Sequence, residues 1–146
     1  MSIKREVEVE LAYPIEIADG EGGTVEASAV VLKAPTAKSR KHCAYLKQQF
    51  LIALPKGQKK TEGAGDEEDP NHEDVVHLLG SSKDVDLAAV LEISKKLFTE
   101  GFAFIEGKRM TSAIYDDLSM DDAERLLGEY MLGFILGSVL EKQKSS

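Results

Sequence analysis

Two histidines at positions 72 and 77 bracket Glu73 and Asp74, residue types that zinc hydrolases use. That chemistry needs two imidazoles four positions apart on one helical face, with a glutamate beside the first as general base. Here the spacing is five, which turns the second ring away by more than a quarter turn. The preceding Pro70-Asn71 also argues against an established helix, so these residues read as polar members of a charged linker. Cys43 has His42 beside it, but adjacent helical positions point about 100° apart, and the imidazole is poorly placed to take the thiol proton. Cys43 instead shares a stripe with Leu46 and Phe50 and reads as a small apolar group facing a core. The glycines of Asp19–Gly23 lack the lysine of a P-loop and the GxGxxG spacing, so they form no phosphate cradle. Asp116-Asp117 and Asp121-Asp122 read as solvated charges at helix ends. No Ser/His/Asp set can be assembled from three histidines, two of them in or beside the linker. No enzyme, cofactor or metal site is expected.

The elements that would position any site belong to a chain of 146 residues and 15.9 kDa, which suits one domain, 1–146. Its formal charge of −8 gives no general attraction to nucleic acid or anionic lipid. One cysteine excludes an intramolecular disulfide framework. No apolar run approaches a membrane span, and the first residues do not have a signal peptide's pattern, so a cytoplasmic location is expected. Charge is placed unevenly. Residues 27–61 hold eight basic residues and no acid, whereas both flanking segments are acidic. This stretch has two open readings: a basic surface for an acidic partner, or pairing with the seven acids of Glu62–Asp74. Nucleic acid is disfavoured, because no aromatic residues interleave with the basic ones.

Val7, Val9, Leu11, Tyr13, Ile15 and Ile17 share one parity, while Glu6, Glu8, Glu10 and Glu16 hold the other. Period 2 predicts a strand that Pro14 ends, bends or places at an edge. The glycine-rich turn then leads into a second strand, Thr24–Lys33, giving a β-hairpin over 6–33. Thr36 offers a helix N-cap, and Leu46, Phe50 and Leu54 continue a helix over 36–54 that Pro55-Lys56-Gly57 stops. Residues 55–74 have little to bury and predict a mobile charged linker that limited proteolysis cuts first. Val75–Gly80 is a short apolar patch, and Ser81, Ser82 or Asp84 could cap the next helix. A helical C-terminal part follows over 84–140, interrupted at Gly101–Gly107 by a loop or short strand. The pattern predicts an α+β fold, a hairpin packed on three to four helices with fewer than four strands.

Within the last helix, Tyr130–Leu136 is apolar on nearly all sides and must be covered on all sides. In a small chain another protein could supply part of that cover, which predicts self-association through this helix, the hairpin edge, or both.

The order of elements, with Leu11-Ala12-Tyr13-Pro14-Ile15, Leu32-Lys33-Ala34-Pro35-Thr36, and Asp117-Leu118-Ser119-Met120-Asp121-Asp122 followed by Leu126, Tyr130 and Phe134, resembles the tail assembly chaperones of long-tailed bacteriophages. The resemblance covers roughly residues 7–54 and 84–137, and the charged segment 55–74 is longer than the family pattern. It implies a non-catalytic protein of the host cytoplasm that binds the tape measure protein, keeps it soluble, helps recruit tail tube subunits and is absent from the mature virion. On this reading Tyr130, Met131, Phe134 and Ile135 supply the apolar client surface, and Lys38, Arg40, Lys41 and Lys47 supply steering or register. The alternative is a structural or adaptor protein of a phage particle that acts through homo-oligomerisation.

Overall fold

The alternation of valine and glutamate builds the first strand, β1 (Glu6–Ala18), which pairs antiparallel with β2 (Thr24–Lys33). The computed structural model describes residues 6–54 and 71–137. Val9 lies opposite Val30, and both are buried, as is Leu32 opposite Val7. Glu8 and Glu10 face the other way, opposite Val31 and Ala29. In the connecting turn, one Asp19 carboxylate oxygen accepts from the backbone N–H of Glu21 at 2.7 Å and of Gly23 at 3.1 Å. These bonds hold the Asp19 carboxyl below its ordinary range. The ladder shifts register between Glu10 and Ile15, at the place where Pro14 can donate no hydrogen bond. Beyond this bulge Ile17 and Ala27 are buried again.

The class is α+β as expected, but the sheet has four strands in the order β1-β2-β3-β4. The interval between Gly101 and Gly107 is the source of the extra pair. β3 (Ala103–Ile105) adds to the open edge of β2, with Phe104 opposite Val31 and Ala103 opposite Leu32. β4 (Lys108–Arg109) folds back onto β3 through Glu106 and Gly107, both at positive φ. Two strands are marginal in water; β3 satisfies backbone groups that β2 would otherwise leave open.

Among the described residues five helices accompany the sheet, where three to four are expected. Thr36 accepts from the Lys38 N–H and leads through a 3₁₀ turn, Ala37–Ser39, into α1 (Arg40–Ala53). Residues 55–70 of the expected charged segment lie outside the described residues. Its last positions are not linker: α2 (His72–Ser81) starts there. Asn71 and Asp74 form a reciprocal capping box, at 3.0 and 2.9 Å, which overrides the neighbouring proline. α3 (Leu87–Leu97) is capped by Asp86, not by Ser81, Ser82 or Asp84, because only Asp86 immediately precedes the first turn and reaches the Ala88 and Ala89 N–H groups. α4 (Ser112–Asp116) and α5 (Met120–Tyr130) are capped by Thr111 and Ser119. A wider π-helical turn, Met131–Ile135, prolongs α5. Positions 138–140 of the expected helical part lie outside the described residues. One core joins Leu32 and Ile105 of the sheet to Leu46, Leu79, Val90 and Leu126 of the helices.

Candidate functional site

Asp122 sits in the first turn of α5, where a carboxylate complements the helix dipole. It is not a solvated end charge. Its side chain is fully buried and accepts from the backbone N–H groups of Ala12, at 2.8 Å, and Tyr13, at 3.0 Å. Those are the groups that the β1 bulge removes from the strand ladder. One buried carboxylate therefore ties the N-terminal strand to α5 and fixes the course of the chain around Pro14.

A cleft of about 420 Å³ opens beside this tie, between the β1 bulge, α2 and α5. Ala12 and Tyr13 line it from the strand, His72, Glu73, Val76 and His77 from α2, and Asp121, Glu124 and Arg125 from α5. Tyr13 is 57% exposed, and Met120, next to Asp121, is 73% exposed. Partial burial raises the Glu124 carboxyl above its ordinary value, and the Asp121 charge adds to the effect. Three acids against one arginine make the lining acidic. The close approach of α5 to α2 at His72 depends on Gly128, because a Cβ there would lie 2.7 Å from the His72 carbonyl oxygen.

The two histidines of the zinc-like pattern do belong to one helix, yet they act apart. His72 Nδ1 lies 3.1 Å from Glu129 of α5, whereas His77 Nε2 lies 3.5 Å from Ser81 Oγ on its own helix. Among the described residues, no group of three or more His, Cys, Asp or Glu side chains is arranged to hold a metal ion. His42 turns from Cys43 toward Glu100, at 3.5 Å. Cys43 packs half-buried against the core, where burial raises its thiol pKa and suppresses the reactive thiolate.

The expected client surface is corrected in part. Tyr130 and Met131 have no accessible surface and belong to the core. Their cover comes from the chain itself: the Tyr130 ring packs edge-on against Phe98 at 5.6 Å and against Phe134 at 4.8 Å. Phe134 and Ile135 are half-buried against the same core. Lys38, Arg40 and Lys41 are exposed and Lys47 is half-buried. Lys38 Nζ donates to the Glu100 carbonyl at 3.0 Å. No protein-family model, curated protein or solved structure matches the chain.

Two expected results follow from the aromatic cluster. Phe134→Asp should destabilise the fold by about 2–4 kcal/mol, since it places a charge against Tyr130 and removes a packed ring. Chemical denaturation checks this; a loss below about 0.5 kcal/mol would show that the ring is peripheral. Tyr130→Phe should be neutral or stabilising by about 1 kcal/mol, because the buried Tyr130 hydroxyl has no hydrogen-bond partner among the described residues. A clear fall in Tm would show that the hydroxyl does have a partner.

The cleft joins positions 12, 72–77 and 121–125, which no spacing in the sequence connects. The only local signal was the Asn71…Asp74 capping pair, which starts the helix carrying its α2 wall.

Proposed function

We propose that this chain is a non-catalytic tail assembly chaperone, holding a tape measure protein soluble and assisting tail tube assembly before it leaves the tail. The reading places it in the host cytoplasm and outside the mature virion, with no nucleic-acid or membrane partner. Among the described residues, no helix is long and apolar enough to cross a membrane. The observation that carries the reading is the open acidic cleft with exposed Tyr13 at the β1 bulge. Such a lining suits a helical client segment that presents a lysine or arginine. The aliphatic stem would lie on Val76 and the Tyr13 ring, and the cationic head would meet Glu73, Asp121 and Glu124. The order of hairpin, helix and capped C-terminal helices adds family-level support. With Tyr130 and Met131 buried, this reading takes the cleft rather than the last helix as the client surface.

Co-expression with the tape measure protein tests the reading. Tyr13→Ala removes an exposed side chain, so the subunit should stay folded while soluble client falls at least tenfold. Lys41→Glu should mainly slow association and increase salt sensitivity. A folded Tyr13→Ala variant that keeps the client soluble as well as the parent excludes the cleft as the binding site. Recovery of the chain in purified particles would favour a resident structural protein.

A further inference from the structure

The helices cover one face of the sheet, and the other face carries an ordered gradient of charge. One rung crosses all four strands: Glu8 pairs with Val31, Val31 with Phe104, and Phe104 with Arg109. Cross-strand partners point to the same side of a sheet, so these four side chains share the face away from the core. Glu8 and Arg109 are exposed at its two margins, while Val31 and Phe104 are half-buried at its centre. The neighbouring rungs add glutamates to the β1 margin. Glu10 lies opposite Ala29, and Glu6 is ion-paired with Lys33, whose ammonium sits 5.3 Å from the centre of the Phe104 ring. Arg109 lays its guanidinium against Gly101 and has no ion pair among the described residues. The face thus carries glutamates along β1, Val31 and Phe104 with the paired Lys33 at its centre, and Arg109 at the β4 margin.

We infer that this open face is a homodimer interface, with a second copy of the chain as its occupant. The argument is symmetry. A two-fold axis that runs parallel to the strands, midway between β2 and β3, places the β1 margin of one copy over the β4 margin of the other. Glu8 then meets the partner copy's arginine at position 109, twice, and the Val31–Phe104 centres stack against each other. Such an isologous contact needs one patch that is complementary to itself, and this gradient is. Two sheets packed face to face lie about 10 Å apart, within reach of glutamate and arginine side chains. An axis across the strands would instead set the glutamates of β1 against one another, so the charge order selects one geometry. The apolar centre is small, so the dimer is weak and salt-sensitive. This surface replaces Tyr130–Leu136 and the strand edge as the expected site of self-association. It does not depend on which client the cleft receives.

Sedimentation velocity of the full chain over a micromolar to submillimolar range tests the inference, with circular dichroism to confirm folding. The parent chain should show a concentration-dependent monomer–dimer equilibrium. Glu8→Arg and Arg109→Glu should each weaken it about tenfold or more, since each creates two like-charge contacts. Mixing the two variants should restore association as a heterodimer, because each arginine at position 8 then meets a glutamate at position 109, and the reverse. The double variant should self-associate like the parent. A parent that is monomeric throughout the range overturns the proposal. So does a dimer that tolerates both reversals, or a mixture that shows no rescue.

Discussion

Asp122→Ala is expected to cost about 2–4 kcal/mol, a large share of the stability of a domain of this size. The mutation removes both acceptors of the Ala12 and Tyr13 N–H groups. Hydrogen bonds to a charged acceptor contribute about 1.5–3 kcal/mol each. Residues Ala12 and Tyr13 are themselves exposed, so water recovers part of the loss, which sets the range below the full sum. Loss of an acid in the first turn of α5 adds a few tenths. Asp122→Asn should fall between parent and alanine, because its amide keeps one acceptor and turns an N–H₂ group toward the second donor. Urea unfolding with an unchanged m-value checks the size of the effect. A loss below about 1 kcal/mol would show that the strand keeps its course without the carboxylate. Because Tyr13 lines the cleft, weakened client capture should accompany the stability loss.

Gly128→Ala sets two effects against each other. Within a helix, alanine in place of glycine gains about 1 kcal/mol from propensity. At this position the new methyl would lie 2.6 Å from His72 Cβ, 2.7 Å from its carbonyl oxygen and 2.8 Å from its Cα. Two of those atoms are backbone, so α2 must retreat from α5 as a body. Overpacking of this kind costs about 1–3 kcal/mol and sometimes more. The displacement would also stretch the His72–Glu129 contact, now at 3.1 Å. Because the clash is with backbone atoms, the steric cost should fall near the top of that range and leave a net loss of about 1–2 kcal/mol. A Gly128→Ala variant more stable than its parent would mean that the two helices separate easily.

Parts of this architecture could be read from local chemistry, and the remainder could not. The hairpin was readable because a half-buried strand must alternate, and Glu6–Leu11 alternates without exception. Thr36 is readable as a helix start because a capping side chain acts on the next three residues. β3 was not, since three residues acquire strand identity only by pairing with Val31 and Leu32, some seventy positions away. Pro70 masks the α2 start, although the Asn71–Asp74 capping box next to it is a local signal. Burial of Tyr130 and Met131 was hidden because an apolar run states that cover is needed and not who provides it. The role of Asp122 is hidden for a related reason: the N–H groups that donate to its carboxylate lie 109 and 110 positions away. The candidate cleft inherits all of these, since its three walls come from the bulge, from α2 and from α5.

The tie between Asp122 and the β1 bulge also bears on how the chain folds as it is made. The hairpin emerges from the ribosome before the strand that covers its open edge, which begins at Ala103, and before the carboxylate that anchors its bulge, at position 122. During translation the hairpin must wait, marginal and with open edges, while the segment up to Ala103 and Asp122 is synthesised. Closure over such sequence distances is slow compared with helix formation. The glutamates along β1 then act before the native state exists, because their mutual repulsion hinders edge-to-edge pairing between nascent chains during that wait.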